Sequence, residues 1–274
     1  MGAAIARSFG VRNRRLANDS TTVKESLAAG VWTPVGYGAP DGVPHSEYLR
    51  ESNGSRYTGD MYDPLPRSFY LRPTVEVAQN LIGTHLCRRL SDGTRLTGIV
   101  VETEAYVTDD PASHSYTGRT ERNAAMFGPP GHAYIYLSYG IHQMLNAVCA
   151  AEGIGEAVLI RAVEPVEGID SMRANRVRVS PPPLASPAGG AEDLRELTNG
   201  PGRLAAAFQV HRSRDNEADL TKTNSGLWIS GRTRDWEIGI STRIGITRGT
   251  KHPWRYYARG NRYVSKGKPS VALG

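Results

Sequence analysis

The stretch Val101-Glu102-Thr103-Glu104-Ala105-Tyr106 ends an apolar run that begins at Gly98, and it predicts a β-strand. Because side chains alternate along a strand, Glu102, Glu104 and Tyr106 should share one face. Carboxylates at this spacing lie about 7 Å apart and repel each other, so we expect a charged partner or a chemical task for at least one of them. The competing interpretation is an edge strand with a solvated acidic face.

The composition is that of a globular enzyme. The 274 residues can form one large domain or two small ones, and no apolar run approaches the roughly 20 residues needed to span a bilayer. Cys87 and Cys149 show no zinc-binding spacing and fit a reducing compartment. The basic first eighteen residues weakly resemble an organellar targeting segment, but a disordered basic tail is the favoured interpretation.

The C-terminal part of the chain is strongly basic. From residue 238 onwards there are eight lysines or arginines and no acidic residue, and Trp254, Tyr256, Tyr257 and Tyr263 lie among them. A basic segment with interspersed aromatic residues favours a polyanionic partner, with nucleic acid as the first candidate. A solubilising surface is the alternative.

The pattern of turns and apolar runs predicts one α+β domain over residues 67–268. Residues 1–66 are predicted to be mostly disordered, 180–190 to form a solvent loop and 269–274 to form a C-terminal tail. The predicted helices are 75–82, 166–176, 192–197 and 201–209. The predicted strands are 85–90, 95–106, 133–138, 141–148, 157–162, 228–229, 236–238, 242–246 and 255–258.

Aromatic residues concentrate in the forty residues that follow the acidic strand. Tyr106 shares the face of Glu104, His114 lies a short loop away, and a predicted β-hairpin brings in Tyr134 and Tyr136. A carboxylate beside several rings can hold a planar base by stacking while it activates a water molecule. Taken singly, each ring is more often part of a core than of a pocket.

The predicted hairpin turns at Tyr139-Gly140, which places a large aromatic side chain at its tip. An exposed aromatic wedge can enter a DNA groove and fill the space of a displaced nucleotide. A tyrosine folded back on its own hairpin would fit the same pattern.

Ten sequence motifs together carry a resemblance to a known family. They span nearly all of residues 67–266, and their order makes the set far more specific than any one of them. The motifs are Val101–Tyr106, His114-Ser115, Arg122-Asn123, Met126-Phe127, Gly131–Tyr136, Tyr139-Gly140, Leu145-Asn146, Val158–Pro165, Gly200–Leu204, and Pro253–Arg255 through Gly260-Asn261. In this set the chain resembles the alkyladenine (3-methyladenine) DNA glycosylase family of the eukaryotic type.

The resemblance implies a fold and a reaction. The fold would be a mixed, mostly antiparallel curved sheet flanked by helices, with a protruding hairpin, similar to the C-terminal domain of formyltransferases. Glu104 would be the general base that deprotonates the attacking water, and Arg161 would hold that water and orient Glu104. The flipped-out substrates would be alkylated or deaminated purines, namely 3-methyladenine, 7-methylguanine, hypoxanthine and ethenoadenine.

The resemblance also assigns the binding residues. Tyr106, His114 and Tyr136 would stack on the extruded base, Tyr139 would be the intercalating wedge, and Asn146 would reject guanine. The loop between Tyr106 and His114 and the polar segment 141–143 depart from some family members, which leaves lesion preference open. The residues expected to contact the DNA backbone are Arg119, Arg122, Gly202, Arg203 and Arg255.

The residue inventory favours a monofunctional glycosylase. Glycosylases that also cut the strand use an amine nucleophile, and this chain has no lysine between Lys24 and Lys222. We therefore expect water to be the nucleophile and an abasic site to be left. We also expect a monomer that acts on double-stranded DNA without metal or cofactor. Its location would be cytoplasmic in a bacterium, and nuclear or organellar in a eukaryote.

Two other functions stay open at the level of sequence. One is a non-catalytic binder of distorted or damaged duplex DNA, but the presence of Glu104, Arg161 and the cluster of rings favours the enzyme. A sugar glycosidase using Glu102 and Glu104 as its carboxylate pair is a weaker alternative, because the basic tail and the exposed wedge count against it.

Overall fold

The sheet is organised around the twelve-residue strand Arg95–Tyr106. The structure is a computed structural model that describes residues 62–179, 194–232 and 234–270. Most of the predicted N-terminal extension, the predicted loop at 180–190 and residues 271–274 lie outside the described residues. The strands are β1 (Thr84–Arg89), β2 (Arg95–Tyr106), β3 (Ala133–Ser138), β4 (His142–Cys149), β5 (Glu156–Glu167), β6 (Leu227–Arg232), β7 (Ile238–Ser241) and β8 (Arg255–Ala258).

Six short or medium helices accompany the strands in the described part of the chain. They are α1 (Arg67–Tyr70), α2 (Thr74–Asn80), α3 (Ile169–Val179), α4 (Arg195–Thr198), α5 (Pro201–Ala207) and α6 (Arg212–Asp215), with 3-10 turns at Ala124–Phe127 and Thr223–Ser225. None of these helices is long and apolar enough to cross a bilayer.

Strand β2 lies in the interior of the sheet, whose order is β3-β4-β5-β2-β1-β6. Along one edge it pairs with β5 over nearly its whole length. Along the other edge it pairs first with β1 and then, from Glu102 to Glu104, with β8. Every strand pair is antiparallel, which confirms the predicted α+β fold with a mostly antiparallel sheet.

The two faces of β2 have different neighbours. On one face, Val101 and Ala105 are buried in the core, and the Thr103 hydroxyl donates a 2.7 Å hydrogen bond to the Ala78 carbonyl oxygen in α2. Glu102 and Glu104 lie on the other face and are fully buried. The register with β5 shifts at Val100/Glu102 and again at Glu102/Thr103, and such bulges bend and twist a strand next to functional sites. The interpretation of this stretch as a solvated edge strand is therefore wrong.

The hairpin formed by β3 and β4 turns at the residues predicted from the sequence. Tyr139 and Gly140 have φ angles of 50° and 74°, as the two central residues of a type I′ turn require, and the Ile141 N–H donates to the Ser138 carbonyl oxygen at 3.2 Å. Glycine adopts this conformation at no cost, whereas a tyrosine does so with some strain. The tip geometry is therefore held by the pairing of the two strands.

Some predicted element boundaries are wrong. Strand β5 continues to Glu167, five residues beyond the predicted end, because it stays paired with β2 as far as Glu167, which lies opposite Thr97. The following helix therefore starts at Ile169 instead of residue 166. Residues 242–246 are not a strand, since the strand of this region is Ile238–Ser241 and only an isolated bridge at Ile244 follows it.

Truncation of a core residue on β5 should destabilise the protein. Ile160 is fully buried opposite Thr103, so Ile160→Ala removes packed methylene groups and leaves a cavity. We expect the free energy of unfolding in urea to fall by about 2–5 kcal/mol. The same substitution at the exposed Ile154 should change it by less than about 0.5 kcal/mol. Equal losses in the two variants would contradict the assigned core.

Candidate active site

A single arginine on β5 links the two carboxylates of β2. The Arg161 Nε donates to Glu102 Oε1 at 3.0 Å, and its Nη1 donates to Glu104 Oε2 at 3.1 Å. All three side chains are at least nine-tenths buried. Burial alone would lower the pKa of Arg161, but the two carboxylates outweigh it and raise the pKa above its ordinary value. The guanidinium charge is thus fixed between two negative groups that would otherwise repel each other.

Glu102 accepts hydrogen bonds from four donors. Besides Arg161, it accepts hydrogen bonds from Arg255 Nε at 2.7 Å, from the Ser265 N–H at 2.8 Å and from the Ser265 hydroxyl at 2.9 Å. Burial acts to raise the pKa of Glu102, but the charges of Arg161 and Arg255 prevail, so the pKa lies below its ordinary value. The carboxylate is fully buried and engaged by four donors from the protein, which makes Glu102 a support for Arg161.

Glu104 has three donors. The Tyr106 hydroxyl donates to its Oε2 at 2.9 Å, Arg161 Nη1 donates to the same oxygen, and the Ile244 N–H donates to Oε1 at 2.8 Å. A carboxylate offers about four acceptor sites, so one site stays available for a further hydrogen bond. The side chain is fully buried directly behind Tyr106, Arg161 and Ile244.

Those same three residues line a cavity of about 470 Å³. This volume suits a small planar molecule such as a base with its sugar. The cavity brings together the predicted site residues Tyr106, His114, Tyr136, Asn146, Arg161 and Tyr139, and it also includes Pro111, Ala112, Met126, Tyr134, Met144, Leu159, Pro201 and the segment from Ile244 to Arg248.

Aromatic rings form one wall of the cavity. His114 lies edge-on to Tyr136, with ring centroids 4.4 Å apart, and its Nδ1 is 2.8 Å from the Tyr134 hydroxyl. Burial raises the pKa of Tyr134 and of Tyr136 to about 12, so both hydroxyls are protonated at neutral pH. Partial desolvation, and then the charge of Arg122, lower the pKa of His114, which favours the neutral imidazole.

Hydrogen bonds of the Asn123 side chain hold the loop that carries His114. The Asn123 side-chain nitrogen donates to the His114 carbonyl oxygen at 2.8 Å and to the Gly118 carbonyl oxygen at 3.0 Å, and its oxygen accepts from the Thr120 N–H at 2.6 Å. Asn123 occurs in one of the recognised motifs, but the sequence alone assigned it no role. Here it fixes the position of the His114 ring.

Asn146 is held rigidly on the cavity wall. Its side-chain nitrogen donates to the Tyr134 carbonyl oxygen at 3.0 Å and to the Met144 carbonyl oxygen at 3.2 Å. The amide cannot swing away from a bound base without losing both bonds. A fixed polar group at this place is suited to steric selection among purines.

The tip of the hairpin projects into solvent. Tyr139 is 92% exposed, although it also lies at the rim of the cavity, and its neighbour Ile141 is 69% exposed. The alternative of a tyrosine folded back on its hairpin is therefore wrong. Large apolar side chains exposed at one tip are typical of a binding element.

The residues predicted to contact the DNA backbone have different surroundings. Arg119 and Arg122 are exposed near the His114 loop. Arg203 is half-buried and donates to Asn199 at 2.7 Å, and Gly202 packs so closely against His142 that a Cβ atom would crowd the imidazole. Arg255 is buried, with Nε on Glu102 and Nη1 on Ser241, so its position does not support the predicted phosphate contact.

Two residues of the basic C-terminal part are therefore internal. Arg243 is fully buried against Asp110, and Arg255 belongs to the Glu102 cluster. The sequence-based reading of this region as a basic surface missed these roles, because it could not see partners more than 130 residues away in the chain. It also missed the backbone N–H of Ile244, which no side-chain pattern reveals.

Comparison with known families places the chain among the DNA glycosylases, hydrolases that cut the bond between a base and its deoxyribose. The family model described as methylpurine-DNA glycosylase (MPG) matches residues 68–262, and the chain belongs to this family. The match includes every residue of the cavity and of the hairpin. It confirms the family predicted from the ordered motifs.

Curated relatives agree with this assignment. A protein of Rhodopseudomonas palustris (strain HaA2) is 44% identical over 207 residues, which cover 76% of this chain and 92% of the relative. One from Salinibacter ruber is 42% identical over 221 residues, with 76% and 99% covered, and one from Mesorhizobium japonicum is 44% identical over 208 residues, with 76% and 92% covered. All three carry the name "putative 3-methyladenine DNA glycosylase".

Replacement of Glu102 should have a pH-dependent effect on stability. Glu102→Gln leaves two buried guanidinium groups with one carboxylate fewer, so the free energy of unfolding at pH 7 should fall by about 3–5 kcal/mol. Because the pKa of Glu102 is lowered in the folded protein, its contribution is present above the unfolded value of about 4.3 and is lost as the pH falls further. The difference between variant and parent should therefore shrink below about pH 4.

Urea unfolding at pH 7 and pH 3 measures this difference, and Glu152→Gln, at an exposed glutamate, is the matched control that should change little at either pH. A Glu102→Gln defect of the same size at both pH values would show that the carboxylate charge is not what stabilises the cluster.

Proposed function

We propose that this protein is a monofunctional glycosylase for alkylated and deaminated purines in double-stranded DNA. It flips the damaged nucleotide into the cavity and hydrolyses the N-glycosidic bond with a water molecule that Glu104 activates, leaving an abasic site. The substrates are 3-methyladenine, 7-methylguanine, hypoxanthine and ethenoadenine. The protein acts as a monomer.

The position of Glu104 carries this proposal. Its carboxylate lies directly behind Tyr106, Arg161 and Ile244, which line a base-sized cavity, and three donors fix its orientation while one acceptor site stays unfilled. A water molecule bound at that site would donate to Glu104 and present its oxygen to C1′ of a nucleotide in the cavity. Because Glu104 is shielded from bulk solvent, only a water admitted through the cavity can react.

The charges of Arg161 and of the carboxylates behind it suit the transition state. Glycosidic cleavage builds up positive charge on the sugar, in an oxocarbenium-like transition state. Glu104 provides a negative charge at this place, and Arg161 holds that charge in position through Nη1. Glu102 accepts from Nε of Arg161 and compensates the positive charge of the guanidinium. That charge therefore does not cancel the negative charge that Glu104 presents to the sugar.

The aromatic wall favours damaged purines. The electron-rich faces of Tyr106 and Tyr136 attract planar and, above all, cationic rings such as 3-methyladenine. Cationic alkylated bases also leave readily, so a site built on stacking and water activation suffices for them. The rigidly held Asn146 supports exclusion of guanine, whose exocyclic amine would crowd it.

The weaker alternatives fit the site less well. A sugar glycosidase would need two carboxylates facing its substrate, but Glu102 is occupied by Arg161, Arg255 and Ser265. A non-catalytic binder of damaged duplex would have no use for a carboxylate held in one orientation behind the cavity lining. The absence of any lysine from residue 25 to residue 221 supports water as the nucleophile.

Replacement of Glu104 tests the mechanism. Glu104→Gln keeps the shape of the side chain but cannot accept the proton of the water, so the single-turnover rate of hypoxanthine release should fall by about 10²–10⁴-fold. Affinity for the lesion duplex should be retained. A gel assay after alkaline cleavage of the abasic site measures release, and Glu152→Gln is the control at an exposed glutamate. Undiminished release by Glu104→Gln would refute the assignment of the base.

Replacement of Tyr139 tests the wedge. Tyr139→Ala removes the ring that fills the space of the flipped nucleotide, and the loss of stacking is worth about 1–3 kcal/mol, or at least about fivefold in the flipping equilibrium. The fluorescence of an ethenoadenine duplex reports flipping. Tyr139→Phe keeps the ring and should behave as the parent protein. An unchanged signal in Tyr139→Ala would argue against insertion.

A further inference from the structure

A second buried ion pair lies beneath the active site, formed by Arg243 and Asp110. Both side chains are fully buried, and the two guanidinium nitrogens Nη1 and Nη2 contact the two carboxylate oxygens, the second at 2.9 Å. A bidentate pair of hydrogen bonds from an arginine to a carboxylate fixes the orientation of the guanidinium as well as its position. Neither residue lines the cavity.

The guanidinium contacts two aromatic rings and two backbone carbonyls. Its central carbon lies 4.6 Å from the centroid of the Tyr106 ring and 5.1 Å from that of Trp254. Nη1 donates to the Ala105 carbonyl oxygen at 3.0 Å, and Nη2 donates to the Gly249 carbonyl oxygen at 3.2 Å. Arg243 therefore touches β2 immediately after Glu104, and it also touches the far end of the segment from Ile244 to Arg248 that lines the cavity.

The residue next to Arg243 contacts Glu104 directly. The Ile244 N–H donates to Glu104 Oε1 at 2.8 Å, so the position of this N–H depends on where the Arg243 backbone lies. Tyr106, whose ring rests against the guanidinium, donates to the other oxygen, Oε2. Two of the three donors to Glu104 therefore depend on Arg243. Ile244 follows it in the chain, and the Tyr106 ring contacts its guanidinium.

Gly249 shows how closely this arrangement is packed. Its φ angle is 56°, in the left-handed region, and a Cβ atom at this position would overlap the Asp110 carboxylate. The chain therefore passes Asp110 at a distance only glycine allows. The segment from Ile244 to Arg248 is thus held at both ends, at its start by the backbone of Arg243 and at its end by the Gly249 carbonyl on Nη2.

We propose that Arg243, oriented by Asp110, is a positioning residue for the glycosylase reaction. It supports the Tyr106 ring from behind the cavity and sets the place of the Ile244 N–H, and through these two groups it holds the Glu104 carboxylate in the orientation for water activation. The inference rests on the proposed role of Glu104. It adds to that role a residue that touches neither the base nor the water.

Arg243→Lys provides the test, with Arg88→Lys as its matched control. Lysine keeps the charge beside Asp110 but lacks the planar fork and the stacking surface. Arg88 forms the other deeply buried arginine–aspartate pair of the described residues, with Asp215 at 2.7 Å, and neither partner lines the cavity. The two variants thus make the same chemical change in pairs of similar burial, one behind the active site and one remote from it.

Single-turnover release of hypoxanthine at saturating enzyme should be at least about tenfold slower for Arg243→Lys, because small displacements of a catalytic group cost large factors in rate. Affinity for the lesion duplex should stay within about threefold of the parent value. Arg88→Lys should lose comparable thermal stability but release the base at the parental rate. Parental release by folded Arg243→Lys, or an equally slow Arg88→Lys, would overturn the proposal.

A second pair of variants covers the case in which Arg243→Lys does not fold. Asp110→Asn keeps the shape of the carboxyl group and should slow release without weakening duplex binding, whereas Asp215→Asn, at the remote pair, should not slow it. Parental release by Asp110→Asn would overturn the proposal as well. Failure of the proposed function is recognised separately, because the parent protein itself would then release no base in the same assay.

Discussion

The site depends on one constraint, the need to keep two carboxylates of a single strand buried on the same face. Glu102 and Glu104 would repel each other without compensation, and Arg161 provides it by donating to both. Buried ion pairs add little to stability relative to an apolar core, but removing one partner costs much. The cluster therefore serves less to stabilise the fold than to fix where the Glu104 carboxylate lies.

The sheet is built so that this cluster can exist. Strand β2 has partners on both edges, and the second half of one edge is filled by β8, which brings Arg255 to Glu102. The opposite edge is filled by β5, which brings Arg161. Each arginine thus comes from a strand adjacent to the acidic one. The same backbone pairing that forms the sheet delivers the counter-charges, and no separate loop is needed for either of them.

Much of this arrangement could be predicted from the sequence, because local patterns determine it. The alternation of β2, the turn at Tyr139-Gly140 and the motif around Arg161 each depend on a few neighbouring residues. The roles of Arg243 and Arg255 could not be predicted, since a charge pattern does not distinguish an exposed arginine from one whose partner lies 133 or 153 residues away. The prediction of a strand at residues 242–246 was wrong for a related reason. The backbone of Ile244 donates to the Glu104 side chain and forms an isolated bridge with Pro269, so it does not pair with a neighbouring strand.

The hairpin and Arg161 form parts of one continuous ladder of strands. β3 pairs with β4 up to the turn at Tyr139, and β4 pairs with β5 at Asn146 and Leu159, two residues before Arg161. The distance from the Tyr139 ring to the Arg161 guanidinium is consequently set by the pairing of the strands in the sheet. Under the proposed function, DNA that contacts both groups must fit its backbone to this fixed distance, so a duplex that is already easy to distort binds more readily than a stiff one.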